Sequence, residues 1–377
     1  MVNVGLTMIV KNEAHVIERC LASVRPLVDY VLIADTGSTD DTRERIKGFL
    51  ERENLEGRVV DHPWRNFAHN RTAALEALRE VKHVDYGFTI DADETLQFEP
   101  GFDATAFKAG LTAALYDIEV WNLATRYARP ALFSNRLPFR YDGVLHEFLV
   151  RPEGASTRAI AQGFHVLVSH DGARSQNPNK YVDDAALLER ELETETDPHL
   201  VSRYTFYLAQ SYRDSGQPEK AHTAYLRRAE QGGWIEEVYV SLLRAAQIAE
   251  VLKRPVDEII ATYLRAYEVL PTRVEALHGA AAVCRQNQRY RLGYLLARQG
   301  ISMPRPASGL FLDQSVYDYR MLDEFQVNAY WVGQYGESLD AGATLIRDGK
   351  VPESERARII ANSDFALQKI TESVPKS

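Results

Sequence analysis

Two carboxylates one residue apart, Asp91 and Asp93, are the residues of this sequence best suited to chemistry. Residues 86–90 are short and apolar and predict a strand that ends at Asp91. Carboxylates crowded at a strand end repel each other unless a cation lies between them, and oxygen ligands without His or Cys favour Mg²⁺ or Mn²⁺ over zinc. Such an ion usually bridges to a diphosphate. The alternative is a helix cap or turn, because Asp is common at both.

The elements that must position this pair form an alternating pattern of strands and helices. Apolar periodicity predicts strands at residues 5–10, 30–34, 58–62 and 86–90, and helices at residues 14–24, about 41–53 and 68–81. This alternation indicates a mostly parallel sheet with right-handed crossovers. The loops after these strands would share one edge of the sheet, which is where ligands bind in open α/β sheets.

A mixed, partly antiparallel half is predicted from residue 111 to about residue 170. Residues 116–123 and 139–150 have strand-like patterns, and residues 159–169 predict a last strand. The side chains suited to lining a polar ligand site here are Trp121, Arg126, Arg136 and Arg140.

After Asn179 the sequence is helical throughout. Residues 204–225 place large and small apolar residues on either side of a turn at Gly216, which is typical of a tetratricopeptide (TPR) helix hairpin. Weaker copies have turns near Lys253 and Asn287, and residues 330–346 form a degenerate last copy. The alternative is a helical bundle without repeats. We therefore predict an α/β domain at residues 1–175 and a TPR-like helical domain at residues 176–377.

Composition sets the broad class. A chain of 377 residues with 45% apolar and 26% charged residues is typical of a two-domain globular protein. No apolar run is long enough to span a membrane, and no basic stretch precedes the first strand, so we expect a cytoplasmic protein. Cys20 and Cys284 are expected to be buried thiols. The net charge of −9 argues against nucleic acid as the main partner.

The N-terminal half resembles a family 2 glycosyltransferase with the GT-A fold. The whole chain resembles the bacterial subgroup with C-terminal TPR repeats. The segments that carry the resemblance are residues 8–13 (MIVKNE), 33–40 (IADTGSTD), 64–71 (WRNFAHNR), 90–94 (IDADE), 143–147 (GVLHE), 170–174 (HDGAR) and 204–216. The resemblance implies transfer of a hexose from a nucleotide sugar, UDP-linked, with inversion at the anomeric carbon.

The resemblance also assigns donor-binding residues. Asp35 would receive the base or ribose of the donor, although Asp is equally suited to capping the turn that follows it. Arg71 would reach a donor phosphate, because the guanidinium fork matches oxyanions; the alternative is a solvated helix face. The remaining predicted donor contacts are Lys11, Asn12, Glu13, Asn70 and Asp91. For Glu13 the alternative is helix entry, where a carboxylate is favourable.

A metal site and a general base follow from the same resemblance. Asp93 would be the direct ligand of Mn²⁺ or Mg²⁺, with Asp91 on the ribose or an ion-bound water. His170 would be a third ligand, with His165 and His146 as competitors. Glu147 would take the acceptor's proton; if residues 143–147 are extended, adjacent side chains point to opposite sides. The alternative for Glu147 is a surface strand residue.

The predicted acceptor is a peptide, a glycan or a lipid-linked molecule, and the repeats would orient it or form a homodimer. Two rival functions stay open. One is a non-catalytic TPR adaptor with a degenerate nucleotide-sugar domain. The other is a sugar nucleotidyltransferase, although that class carries a Gly-rich basic loop where this chain has Lys11, Asn12 and Glu13.

Overall fold

The computed structural model describes residues 2–123 and 125–373. Met1 and the last four residues of the predicted helical domain lie outside the described residues. The chain divides into two compact units, Met1–Asp183 and Asp184–Ser377. The predicted fold class is confirmed, because a mixed, mostly parallel sheet with helices precedes an all-helical region.

The first unit contains the strands and the first helices. Its strands are Val4–Val10 (β1), Tyr30–Asp35 (β2), Glu56–Asp61 (β3), Tyr86–Thr89 (β4), Glu94–Phe98 (β5), Leu115–Asn122 (β6), Thr125–Ser134 (β7), Arg140–Asp142 (β8), Phe148–Val150 (β9), Arg158–Ile160 (β10) and Phe164–Val168 (β11). Its helices are Ile17–Val24 (α1), Thr42–Arg52 (α2), Phe67–Arg79 (α3) and Ala104–Ala109 (α4), and Lys180–Leu192 (α5) crosses into the second unit.

One large sheet organises the first unit. Its strand order is β3-β2-β1-β4-β7-β6-β11-β5, with β10 beside β6. Strands β3, β2, β1 and β4 are parallel to one another, whereas β7 runs antiparallel to both β4 and β6. Strands β8 and β9 form a separate antiparallel hairpin. The parallel half therefore brings the carboxyl ends of β1, β2 and β4 to one edge.

Burial explains why these segments form strands and helices. Every residue of β2 is buried, as expected for a parallel strand that is covered on both faces. Helix α1 buries Ile17, Cys20, Leu21 and Val24, which share one face at helical spacing. Both Cys20 and Cys284 are buried free thiols, as predicted.

Three local predictions differ from the structure. Helix α1 begins at Ile17 rather than at residue 14, because the backbone of Ala14 and the ring of His15 hydrogen-bond to residues distant in sequence. The predicted last strand is broken into β10 and β11, since Gly163 between them adopts a φ of 91° and lies against Phe102. Residues 143–147 are not extended: they form the bent loop that joins β8 to β9.

The second unit is a succession of antiparallel helices. They are Pro198–Asp214 (α6), Pro218–Glu230 (α7), Ile235–Val251 (α8), Val256–Val269 (α9), Glu275–Gln286 (α10), Tyr290–Ile301 (α11), the short π-helix Val316–Arg320, Met321–Trp331 (α12), Tyr335–Asp348 (α13) and Glu353–Ser373 (α14). Each helix packs mainly on its neighbours in sequence, which is the organisation of a solenoid.

The hairpin turns of the second unit share one backbone feature. A residue with positive φ lies in each of four turns, at Gly216, Lys253, Gln288 and Gly333. These positions recur after 37, 35 and 45 residues, and the longest interval contains the π-helix. The TPR-like organisation is thus confirmed, with α12 and α13 as its last irregular hairpin. Within residues 2–123 and 125–373, no helix is both long and apolar enough to cross a membrane.

Candidate functional site

The candidate site lies where β1, β2 and β4 end. Val10 is paired with Asp35 in the sheet register, and β4 is the other neighbour of β1. The three segments that follow these strands begin at Lys11, Thr36 and Ile90. All three therefore leave the sheet at the same edge, as the sequence pattern predicts.

Asp35 organises the loop after β2 and keeps one oxygen unused. Its Oδ1 accepts hydrogen bonds of 2.9 Å from the backbone N–H groups of Gly37 and Ser38. Its Oδ2 is buried and accepts no hydrogen bond within the part of the chain that the structure describes. A buried acceptor without a partner is costly. The predicted turn-capping and ligand-binding interpretations of Asp35 are therefore compatible, because each uses a different oxygen.

The segment after β1 is tied to the loop after β2. Asn12 adopts a φ of 59°, and its side-chain oxygen accepts a hydrogen bond of 2.7 Å from the backbone N–H of Thr39. Its own backbone N–H donates to Ser38 Oγ, and that of Glu13 donates to Thr42 Oγ1. Lys11 is exposed at the tip. Asn12 thus fixes the shape of the edge, while Lys11 and Glu13 present charge there.

Arg71 joins two of the predicted site residues. Its Nη2 donates to Asp91 Oδ1 at 2.6 Å, and its Nε donates to Glu147 Oε1 at 2.5 Å. The guanidinium also lies 5.7 Å from the ring centre of Tyr141. Partial burial raises the pKa of Asp91, but the charges of Arg71 and Arg129 outweigh this and hold that pKa below its usual value. Asp91 is therefore ionised at neutral pH.

Glu94, the third acid after β4, has a supporting role. It forms an ion pair with Arg129 on β7, and its Oε2 accepts a hydrogen bond of 3.0 Å from the backbone N–H of Asp91. Its side chain is buried. Glu94 therefore fixes the turn that presents Asp91 and Asp93, and it does not face a ligand itself.

Asp93 and Glu13 form the acidic part of the site. Burial raises the pKa of Asp93, and the negative charge of Asp91 raises it further. Burial also raises the pKa of Glu13, from 4.5 to about 7, against an opposing hydrogen bond from the backbone of Ala173; the charge of Asp93 adds to the increase. Neither side chain forms an ion pair with any described residue. A proton or a cation here would relieve the repulsion.

Residues 170–176, which follow β11, cover the acidic edge. Arg19 on α1 binds Asp171 through two hydrogen bonds of 2.7 Å, and His15 Nε2 lies 2.6 Å from the Asp171 carbonyl oxygen. The backbone N–H of Ala173 donates to Glu13, at 3.2 Å from Oε2. A Cβ on Gly172 would lie 2.9 Å from Asp93 Oδ2, so only glycine permits this close approach.

These residues fit a divalent cation in charge and ligand type, although they do not form a complete site by themselves. Among residues 2–123 and 125–373, no three His, Cys, Asp or Glu side chains are arranged to hold a metal ion together. Hard carboxylate oxygens with raised pKa values suit Mg²⁺ or Mn²⁺, and Mg²⁺ is commonly held by one or two carboxylates plus substrate phosphates.

The three histidines considered as metal ligands have different surroundings. His170 has a φ of 59°, and its Nε2 lies 2.7 Å from Asn122 Oδ1; if Nε2 donates there, Nδ1 keeps a free lone pair. His165 stacks on Trp121 with ring centres 3.8 Å apart. His146 has a φ of 52° in the loop between β8 and β9. His170 stays the predicted ligand, since stacking accounts for His165.

Asn70 holds the loop that leads into α3. It is completely buried, its Oδ1 accepts from the backbone N–H of Arg65, and its Nδ2 donates to the carbonyl groups of His62 and Pro63. These bonds hold the loop before α3 and give Asn70 a positioning role, and its direct contact with the donor stays a prediction.

Sequence reasoning did not foresee several contacts that shape the site. The ion pairs Arg19–Asp171 and Arg129–Glu94 and the approach of Gly172 to Asp93 all join residues distant in sequence. The glycine after the last strand was the available signal for the third contact. The ion pairs left no signal, because scattered Arg and Asp residues are usual on protein surfaces.

Comparison with known proteins finds a family model that matches part of the first unit. Residues 6–101, about a quarter of the chain, match the family model described as Glycosyl transferase family 2. An uncharacterized glycosyltransferase of Rickettsia bellii is 35% identical over 92 residues, which are 24% of this chain and 28% of the relative. A TPR repeat-containing protein of Synechococcus elongatus is 30% identical over 154 residues, 40% of this chain and 36% of the relative. The chain thus spans about a third of the length of these curated relatives.

Two solved structures are also similar. S. aureus TarS 1-349 in complex with UDP-GlcNAc has a TM-score of 0.38 at 14% identity, covering 79% of this chain and 92% of that chain. A tetratricopeptide repeat protein from Parabacteroides merdae has a TM-score of 0.38 at 16% identity, covering 52% of this chain and 75% of that chain.

Proposed function

We propose that this chain, which carries a family 2 glycosyltransferase domain at residues 6–101 ahead of TPR-like repeats, transfers a hexose from a nucleotide sugar to an acceptor with inversion. The observation that carries the proposal is the network Asp91–Arg71–Glu147 beside Asp93. It combines a cation for a diphosphate, carboxylates for a metal ion and a carboxylate for proton removal at one sheet edge.

The donor is proposed to be UDP-linked. The unused buried oxygen of Asp35 supports a contact with an N–H or O–H group of the base or ribose. Arg71 supplies a planar donor fork for the diphosphate. Lys11 and Glu13 line the same pocket in this proposal, Asn12 and Asn70 hold its loops, and Asp91, whose side chain is 40% exposed, is accessible to the ribose.

Asp93 and Asp91 would hold Mn²⁺ or Mg²⁺, with His170 as a further ligand. Such an ion supplies Lewis-acid stabilisation of negative charge on the leaving diphosphate. The unpaired carboxylates of Asp93 and Glu13 support this assignment, because a cation would offset the repulsion that raises their pKa values.

Glu147 is proposed as the general base. It would accept the proton of the acceptor while the acceptor atom attacks the anomeric carbon on the face opposite the diphosphate. Its carboxylate shares Arg71 with Asp91, which supports a position close to the proposed diphosphate site. No second carboxylate is needed to protonate the leaving group.

The helical unit is proposed to position the acceptor, which is a peptide, a glycan or a lipid-linked molecule, or to form a homodimer. Neighbour-to-neighbour helix packing produces extended binding surfaces of this kind. The cytoplasmic location stays a prediction.

The test is a turnover assay on the purified full chain. UDP-, GDP- and dTDP-hexoses are incubated with Mn²⁺, with Mg²⁺ or with EDTA, and release of the nucleoside diphosphate is measured. We expect release that depends on the metal and is fastest with a UDP-sugar. Binding of the sugar nucleotide without any release, with or without an acceptor extract, would instead favour the adaptor. Release of pyrophosphate from UTP and a hexose phosphate would favour the nucleotidyltransferase.

A further inference from the structure

Arg71 binds two residues that have different roles in the proposed reaction: Glu147, the base, and Asp91, at the donor. Its Nε bonds Glu147 at 2.5 Å and its Nη2 bonds Asp91 at 2.6 Å. A carboxylate that is hydrogen-bonded to a guanidinium cannot accept an acceptor proton through that same lone pair. In the arrangement described, the proposed base is therefore held by the same side chain that is proposed to bind the donor.

The attachment of Glu147 to α3 depends on this one pair, whereas the hairpin that carries it is attached separately. The backbone N–H of Tyr141 on β8 donates to Thr72 Oγ1 at 2.9 Å, and the Thr72 hydroxyl lies 3.3 Å from the Tyr141 carbonyl oxygen. The loop beyond it contains Gly143 and His146, both with positive φ. Separation of Arg71 from Glu147 would thus leave the attachment of the hairpin to α3 through Thr72 in place.

A diphosphate is a stronger partner for Arg71 than a single carboxylate is. A diphosphate offers several oxyanions to the planar fork of the guanidinium. Nη2 of Arg71 already has a partner other than Glu147, the carboxylate of Asp91. If donor binding requires Arg71 to leave Glu147, the free energy of that ion pair is subtracted from the free energy of donor binding. The competition is therefore measurable in the affinity for a nucleoside diphosphate alone.

We infer that Arg71 is a latch on Glu147: it holds the carboxylate until a donor diphosphate draws the guanidinium away and frees Glu147 for the acceptor. This inference rests on the proposed function. In the step that follows, the acceptor atom bonds to the anomeric carbon and its proton passes to Glu147. The bond from that carbon to the diphosphate breaks, and its electron pair leaves with the nucleoside diphosphate. Acceptor deprotonation would thus be tied to an occupied donor site.

The experiment measures UDP affinity by titration calorimetry for the wild type, Glu147→Gln, Arg71→Met and the double variant. The latch predicts that Glu147→Gln binds UDP about five- to tenfold more tightly, because the glutamine no longer competes as a charged partner. Arg71→Met is expected to bind about tenfold more weakly, and the double variant should match it, since the gain requires Arg71.

A matched control is Asp117→Asn. Asp117 forms a comparable two-bond pair with Arg158, at 2.7 and 2.8 Å, and its side chain is 12% exposed, as is that of Glu147. This variant removes the same charge from the same unit and should leave UDP affinity unchanged. Circular dichroism confirms that each variant folds, and Arg71→Lys, which keeps the charge without the fork, replaces Arg71→Met if the latter does not fold.

Three results would overturn the latch while leaving the proposed function intact: UDP affinity unchanged or weaker in Glu147→Gln, an equal gain in Asp117→Asn, or a gain that persists in the double variant. Failure of every variant to bind UDP, GDP or dTDP would overturn the proposed function together with the latch, and it is a different observation from any of these.

Discussion

Both units bury arginine–carboxylate pairs, and the two sets differ in what surrounds them. In the helical unit, Arg228 binds Glu237 at 2.9 Å and the Gly232 carbonyl oxygen at 2.7 Å, with 1% of its side chain exposed. Arg273 is equally buried and binds Glu275, Glu236 and the carbonyl oxygen of Leu310. Burial raises the pKa of Glu275, but Arg273 outweighs this and lowers it overall. These networks are saturated with partners.

The network at the sheet edge is left incomplete. Arg71 is shared between Asp91 and Glu147, while Asp93 and Glu13 nearby have raised pKa values and backbone N–H partners in place of a cation. Saturated pairs fix the position of helices, whereas surplus negative charge has a use only when a ligand brings positive charge. The contrast separates a structural ion pair from a binding site within one chain.

The largest expected effect is on the rate of transfer when Glu147, one of the two partners of Arg71, is replaced. Glu147→Gln should lower the rate of transfer about a thousandfold, because a general base contributes roughly 10²–10⁴-fold. Initial rates at saturating donor and acceptor measure this. Asp117→Asn serves as the control with unchanged rate, and an active Glu147→Gln enzyme would remove Glu147 from the mechanism.

Breaking a saturated ion pair of the helical unit should change the free energy of unfolding rather than the rate of transfer. Glu237→Gln is expected to destabilise the helical unit by about 3 kcal/mol, since it leaves the buried Arg228 without a negatively charged partner. Hydrogen exchange along α7 and α8 during urea titration measures the change. Asp257→Asn, which breaks the exposed pair with Arg289, should cause no measurable change. A small effect of Glu237→Gln would show that water or a neighbour replaces the carboxylate.

Asp93→Asn tests whether surplus charge marks a metal site. We expect about a hundredfold loss of transfer that added Mn²⁺ does not restore, because the amide is a poor ligand for a hard cation. Nucleoside-diphosphate release is measured over a range of Mn²⁺ concentrations. Undiminished turnover of the wild type after exhaustive chelation would exclude metal dependence altogether.

The smallest expected effect concerns Glu13 and pH. Because its folded pKa of about 7 exceeds the ordinary 4.5, proton binding stabilises the folded state at low pH, and this stabilisation is lost as the pH rises through 7. Glutamine does not titrate, so the stability of Glu13→Gln relative to the wild type should increase by about 1 kcal/mol from pH 5 to pH 8, after allowance for solvent exposure. Urea titrations in EDTA, followed by hydrogen exchange of β1, measure it. A constant difference would mean that Glu13 is ionised throughout.

The sequence by itself determined which segments form the parallel strands and which residues end them. Asp35 and Asp91 follow apolar runs, and a parallel sheet gathers such strand ends at one edge for any sequence with this alternation. The TPR-like hairpins were equally predictable, because small and large residues recur around each turn. Local periodicity is sufficient for both results.

Only the tertiary structure decided how the charges are partnered. Arg71 and Glu147 are 76 positions apart, and Asp171 is 152 positions from Arg19, so no local pattern connects them. The approach of Gly172 to Asp93 is another contact between residues distant in sequence. Hydrophobic spacing is a property of one segment, whereas ion pairing depends on which segments meet in space, and the second is not encoded by the first.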